Sequence, residues 1–219
     1  MLEFFFLALF LGLKHSFDAD HIIATSNFFL DSDSLLKSIK MAFSWAIGHM
    51  IAAIIITIFL FSFKETFFSL IFEKLELLVA VMLILIGILS IYKSNVFHFH
   101  LHAHNGLTHS HFHLHLKKEE NNHFHKHIFG VGIIHGLASN DELLLLLTVT
   151  LGLSSLFDMV FGVIIFSFGV VLGMIAFSAF FTYNTLKIDS EKLMQIINFG
   201  VGSISILYGS FMLTSLIFP

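Results

Sequence analysis

The chain has 219 residues, 57% of them hydrophobic and 12% charged, with a mean hydropathy of +0.91 and a formal net charge of −4. A soluble domain of this size needs a more polar surface, so the composition describes a polytopic membrane protein whose partner is the lipid bilayer. There is no cysteine and no arginine, which excludes disulfides, thiolate metal sites and bidentate phosphate contacts, and argues against nucleic acid as a partner.

In chain order, six apolar runs are long enough to cross a bilayer: Glu3–Phe28, Ser38–Phe61, Leu75–Tyr92, Ile128–Leu151, Leu156–Tyr183 and Leu193–Phe218. Each is expected to be a helix, because lipid offers the backbone no hydrogen-bond partner. The only proline is Pro219, so none is proline-kinked. Met1-Leu2-Glu3 gives no basic start and the run that follows lacks a small-residue cleavage site, so the first run reads as a retained helix. Lysines set the orientation. The first, third and fifth loops with their helix ends hold Lys37, Lys40, Lys93, Lys117, Lys118, Lys126, Lys187 and Lys192, whereas the second holds Lys64 and Lys74 and the fourth none. The odd-numbered loops are therefore expected in the cytoplasm, with both termini outside the cytoplasmic membrane.

A weak repeat runs through the chain. Gly12-Leu13-Lys14-His15 and Asp20-His21 align with Gly132-Ile133-Ile134-His135 and Asn140-Asp141, and Met50-Ile51-Ala52 aligns with Met174-Ile175-Ala176. Three helices per half would invert the second half relative to the first. The fold expected is all-α, six transmembrane helices as two inverted three-helix repeats. Residues 1–93 and 128–219 form the repeats, and 94–127 the cytoplasmic histidine-rich loop between them. Chance similarity between apolar helices is the alternative.

Apart from residues at the ends of these runs, the charge inside them is confined to Lys14, Asp18, Asp20, Asp141 and Glu142. An ionised side chain at mid-bilayer costs about 2.5–3.5 kcal/mol on the insertion scale, so partners, water or a bound cation must offset it. On a regular helix His15, Asp18 and His21 share one face, while Asp20 points about 100° from His21. Two imidazoles and a carboxylate on one face suit borderline divalent metals such as Ni²⁺, Co²⁺ and Zn²⁺. An ion-pair knot, with Lys14 on Asp18, or a proton relay is the blander reading. A second cluster holds His135, Ser139 and Glu142 on one face, with Asn140 and Asp141 beside them. His49, in Gly48-His49-Met50, is expected at a similar depth, although a lone histidine in an apolar helix is more often a satisfied core residue than a ligand.

The third loop carries eleven of the fifteen histidines. They alternate strictly: His98, His100, His102 and His104; His109, His111, His113 and His115; His123, His125 and His127. Period two marks an extended strand, and Asn105-Gly106 is a type I′ turn signal. Folding there sets His102 opposite His109, His100 opposite His111 and His98 opposite His113. A loosely metal-binding, unstructured tract is the alternative. Neutral imidazole is the commonest protein metal ligand, so some metal affinity is expected either way.

His15-Ser16-Phe17-Asp18-Ala19-Asp20-His21-Ile22 resembles the His-x4-Asp-His signature of the nickel/cobalt transporter family. The resemblance implies metal recognition in the membrane by His15, Asp18, Asp20 and His21. Gly136-Leu137-Ala138-Ser139-Asn140-Asp141-Glu142 matches a second family motif in its glycine and final glutamate, with Ala138 where that motif has aspartate. Uptake members typically have eight helices and no long histidine tract. Six helices and a tract look more like the related nickel/cobalt efflux proteins.

The function expected is secondary transport of Ni²⁺ or Co²⁺ as substrate, with no prosthetic group and no enzymatic activity. There is no phosphate-binding loop for an ATP-driven pump. The membrane potential favours uptake, and export would need proton coupling. A cytoplasmic metallochaperone is the loop's expected exchange partner. Zinc transport and a membrane-anchored metal buffer are the alternatives. The in-membrane histidines are too few and too spread out for a di-iron membrane enzyme.

Overall fold

The computed structural model describes residues 2–63, 68–94, 102–104, 107–109, 124–138 and 156–218. Among these are seven helices: α1 Leu2–His15, α2 Ala19–Phe29, α3 Leu35–Phe63, α4 Phe68–Lys93, α5 Phe124–Ala138, α6 Leu156–Thr185 and α7 Glu191–Ile217. Two short strands, β1 His102–His104 and β2 Leu107–His109, pair antiparallel with His102 opposite His109, the register expected from the sequence for that pair. The other histidine pairs expected of that hairpin lie outside the described residues.

Among the described residues, three helices are long and apolar enough to cross a membrane, over Leu35–Phe59, Leu156–Thr185 and Lys192–Ile217. The chain is thus a multi-pass membrane protein, but six spans in two inverted three-helix repeats is not what is found. The expected first span, Glu3–Phe28, is two helices of 14 and 11 residues with a break at 16–18. The apolar stretches Glu76–Tyr92 and His127–Ala138 are shorter than a full crossing. The rest of the expected fourth span lies outside the described residues. A hydropathy sum cannot see such a break, because Phe17, Ala19, Ile22 and Ile23 keep the window apolar across it.

Backbone hydrogen bonds locate the break. Phe17 N donates to Lys14 O and Asp18 N to His15 O, both at 3.0 Å, which tightens the end of α1 into 3₁₀ geometry. Asp18 then turns extended (ψ 147°), and its carbonyl accepts the first helical bond of α2 from Ile22 N at 3.0 Å. The chain re-enters helix with Asp18 and Asp20 at the positive end of the new dipole, where carboxylates are favoured.

Helix pairing runs between the two ends of the sequence: α1 packs on α6, α3 on α5 and α6, and α4 on α7. Glycines permit it. A Cβ on Gly12 would strike the Phe166 backbone, one on Gly48 the Phe129 carbonyl, and one on Gly132 the Trp45 carbonyl. Hydrophobic association gives little drive between helices in lipid, so such close backbone approach is what selects partners. Ala8, Leu11, Met41, Trp45, Val163, Phe166 and Met174 fill the space between α1, α3 and α6. Large apolar side chains such as Phe6, Phe10, Phe168 and Phe180 point outward, as lipid-facing positions do.

Candidate metal centre

Four histidines lie outside the tract, and the fold brings all four together. His15 ends α1, His21 begins α2, His49 lies mid-way along α3 and His135 sits near the end of α5. All are buried. Ring centroids are 4.6 Å apart for His15 and His21, 5.2 Å for His15 and His49, 5.4 Å for His21 and His49, and 5.1 Å for His21 and His135. One ring nitrogen from each of His15, His21 and His49 lies within 4.8 Å of the others.

Two local devices build the cluster. The break between α1 and α2 folds His21 back over His15, and the Gly132 and Gly136 positions let α5 lie on the Trp45–His49 turn of α3. A Cβ at Gly136 would stand 2.5 Å from the His49 carbonyl oxygen. On the other flank, a Cβ at Gly173 of α6 would meet the Ser16 hydroxyl, so the break itself is held against α6.

The hydrogen bonds share a direction. His15 Nδ1 is 2.9 Å from Asp18 Oδ2, and His21 Nδ1 is 2.9 Å from Asp20 Oδ1. His135 Nδ1 donates to the Val131 carbonyl at 3.1 Å. In these three rings the Nδ1 edge is held by an acceptor, which fixes the proton there and leaves the Nε2 lone pair available. His15 Nε2 lies 3.2 Å from His49 Nε2. Nitrogens each about 2.0–2.1 Å from one metal ion are at most about 4.2 Å apart, so the rings need only a small contraction to share an ion. His21 Nε2, His135 Nε2 and His49 Nδ1 are buried without a hydrogen-bond partner. Each such atom costs about 1–3 kcal/mol, a cost that a bound cation removes.

Asp20 differs from the helical-wheel expectation. A continuous helix would turn it away from His21; the fresh start of α2 puts its carboxylate on the His21 ring, 6% exposed. Asp18 is partly exposed and sits behind His15. Asn140, Asp141 and Glu142, with the Ser139 beside them, lie outside the described residues, as do His98, His100, His111, His113, His115 and His123. His104 stands opposite Leu107 in the strand pair, His125 falls in the first turn of α5, and His127 is exposed on the same helix.

Two residues of the site were not singled out from the sequence. Trp45 packs on His21, His49 and His135 at centroid distances of 4.9, 5.3 and 5.6 Å, and its Nε1 is buried without a partner. Phe166 closes the other side, 5.4 Å from His15. A signal existed for Trp45: the chain's single tryptophan stands one helical turn before His49.

Helices crossing a membrane around buried imidazoles backed by carboxylates define a histidine-rich membrane protein with the features of a metal-ion permease. In sequence the chain is similar to the urease accessory protein UreH of Bacillus sp. (strain TB-90), 29% identical over 204 residues that cover 91% of this chain and 87% of the relative. No family model matches the chain, and no solved structure does.

Proposed function

We propose that this protein is a secondary transporter of Ni²⁺ or Co²⁺ in the cytoplasmic membrane. His15, His21 and His49 supply the primary ligands and His135 a fourth, while Asp18 and Asp20 orient two of the rings and add negative charge. The observation that carries the reading is the convergence of four imidazoles from three separate stretches of the chain, whose Nδ1 edges are held in three cases out of four. Nitrogen ligands with carboxylates behind them favour borderline divalent ions, and the His-x4-Asp-His resemblance points to nickel and cobalt among these.

The break between α1 and α2 has a role in this reading. The carbonyl end of α1 and the carboxylates of Asp18 and Asp20 face a cation at the point where the helix is interrupted, an arrangement that transporters use at ion sites. A dication moving inward gains about 4.6 kcal/mol per 100 mV of inside-negative potential, twice the value for one charge, so uptake needs no further energy source. The tract, on the cytoplasmic side by the lysine count, receives the ion and passes it to a metallochaperone. UreH is named as a urease accessory protein. Carried to this chain, that makes a urease the consumer of the metal.

The test is uptake of Ni²⁺ and Co²⁺ into liposomes carrying the purified full chain, under an imposed inside-negative potential, with and without a pH gradient. Potential-driven uptake lost in His49→Ala and His21→Ala is expected. Flux that needs an opposing pH gradient would reverse the direction, and preferential competition by Zn²⁺ would change the metal. In a urease-bearing host, loss of the gene should lower urease activity and added nickel should restore it. A metal buffer is the second reading: deletion of Phe97–His127 would then remove all function, whereas a transporter keeps flux.

A further inference from the structure

A second polar feature lies on the same helix as His21, away from the imidazoles. A cavity of about 60 Å³ between α2, α4 and α7 is lined by Asn27, Asp31, Ser90 and Asn198 with Phe28, Ile86 and Leu89. It runs from exposed Asp31 and Leu89 to buried Asn27 and Ser90. Asn27 Nδ2 donates to Ser205 Oγ at 2.6 Å and to the Ile23 carbonyl at 2.8 Å, while its Oδ1 is buried without a partner. Ser90 Oγ donates to the Asn198 carbonyl at 3.2 Å. None of these groups is used by the imidazole cluster.

Position ties the two together. Residues 20, 24, 27 and 31 repeat at i, i+4, i+7 and i+11, so Asp20 and Asn27 lie on one face of α2, about 10 Å apart along its axis. Between them Ala24 packs in an apolar layer with Val79, Met82 and Leu83, bordered by Tyr208. At the other end, Ser90 is one turn from the end of α4, and the first histidine of the tract, His98, follows eight residues later in the chain. The cavity therefore stands between the buried cluster and the C-terminal end of α4, the end from which the chain runs on to the tract.

We propose that this crevice is a relay site for a partly hydrated divalent cation passing between the histidine tract and the four-imidazole cluster, with the Ala24–Leu83 layer as its closed inner door. The proposal rests on the transport reading above and adds a route to it. The donor set fits that role. Asp31, Asn27, Ser90 and Asn198 offer oxygen, which hard or hydrated cations accept, and the cavity has room for water to stay on the ion. Exchange of oxygen and water for imidazole nitrogen then takes place once, deeper in the protein, where borderline metals gain most.

The chain has no cysteine, so one can be placed at will. Ser90→Cys is nearly isosteric, and Leu89→Cys, at an exposed lining residue, stands in for it where Ser90→Cys does not fold. Full-length protein in liposomes is treated with a small charged methanethiosulfonate, with Co²⁺ as the probe ion. At Co²⁺ about ten times the dissociation constant, labelling should slow about tenfold, and Asp31→Asn in the same background should remove the protection. Labelled protein should lose Co²⁺ flux while the Co²⁺ absorption of the imidazole cluster persists in detergent. Labelling unaffected by Co²⁺, or full flux after labelling, overturns the relay. A His49→Ala protein that still transports would instead sink the transport reading, and protection that survives His49→Ala supports the crevice as a site of its own.

Discussion

The protein holds its histidines in two ways. Eleven are crowded into one stretch, alternating with other residues, and the described strands there bring His102 opposite His109. The other four are scattered from position 15 to position 135, yet they form the buried cluster. In the cluster three Nδ1 atoms are held by Asp18, Asp20 and Val131, and Trp45 and Phe166 fix the ring planes. On the proposed reading, density of imidazole gives capacity for metal, and held edges and fixed planes give a defined coordination geometry.

The sharpest test of that contrast is removal of one clustered ring. His49→Ala should lower affinity for Ni²⁺ or Co²⁺ by more than the 10–100-fold typical of losing an outer-shell partner, read by titration of detergent-purified protein. Next comes Asp20→Asn, which keeps the shape but weakens the hold on His21; a loss of about 10–100-fold in affinity is expected, with the protein still folded. An equal loss from a single tract substitution such as His102→Ala would erase the distinction between the regions.

Gly136→Ala acts on packing alone. Its Cβ would stand 2.5 Å from the His49 carbonyl oxygen, so α5 must move off α3. A cost of about 1–3 kcal/mol is expected, visible as a lower unfolding temperature in detergent together with weaker metal binding. Unchanged stability would mean that α5 does not lie on the His49 turn. Deleting Phe97–His127 should have a smaller effect on flux, a reduced rate at low metal with the maximal rate kept. The mildest effect concerns acid: bringing the pH from 7.5 to 5.5 protonates imidazoles of ordinary pKa near 6.5 and should release metal bound to the isolated tract peptide.

The single tryptophan offers an optical check on the same contrast. Co²⁺ binding among His21, His49 and His135 should quench Trp45 fluorescence, and a tract-deleted protein should keep that quenching. Quenching that disappears with the tract would place the metal elsewhere.

Much of this was readable residue by residue. The apolar runs Ser38–Phe61, Leu156–Tyr183 and Leu193–Phe218 correspond to α3, α6 and α7 within a few residues, because partition into lipid is a property of one segment at a time. Ionisable residues inside apolar sequence marked His15, Asp18, Asp20 and His21, since such groups are too costly to keep without a partner. The break at 16–18 was not readable: no proline or glycine announces it, and it comes from bonds that Phe17 and Asp18 make to carbonyls three residues back. Nor could the sequence choose which helices meet. An apolar surface is equally content against lipid or another helix, so pairing falls to the positions where a missing Cβ lets two backbones touch. Gly12 on Phe166, Gly132 on Trp45 and Gly136 on His49 make that choice, and the tertiary structure alone brings the remote His49 and His135 to the His15–His21 pair.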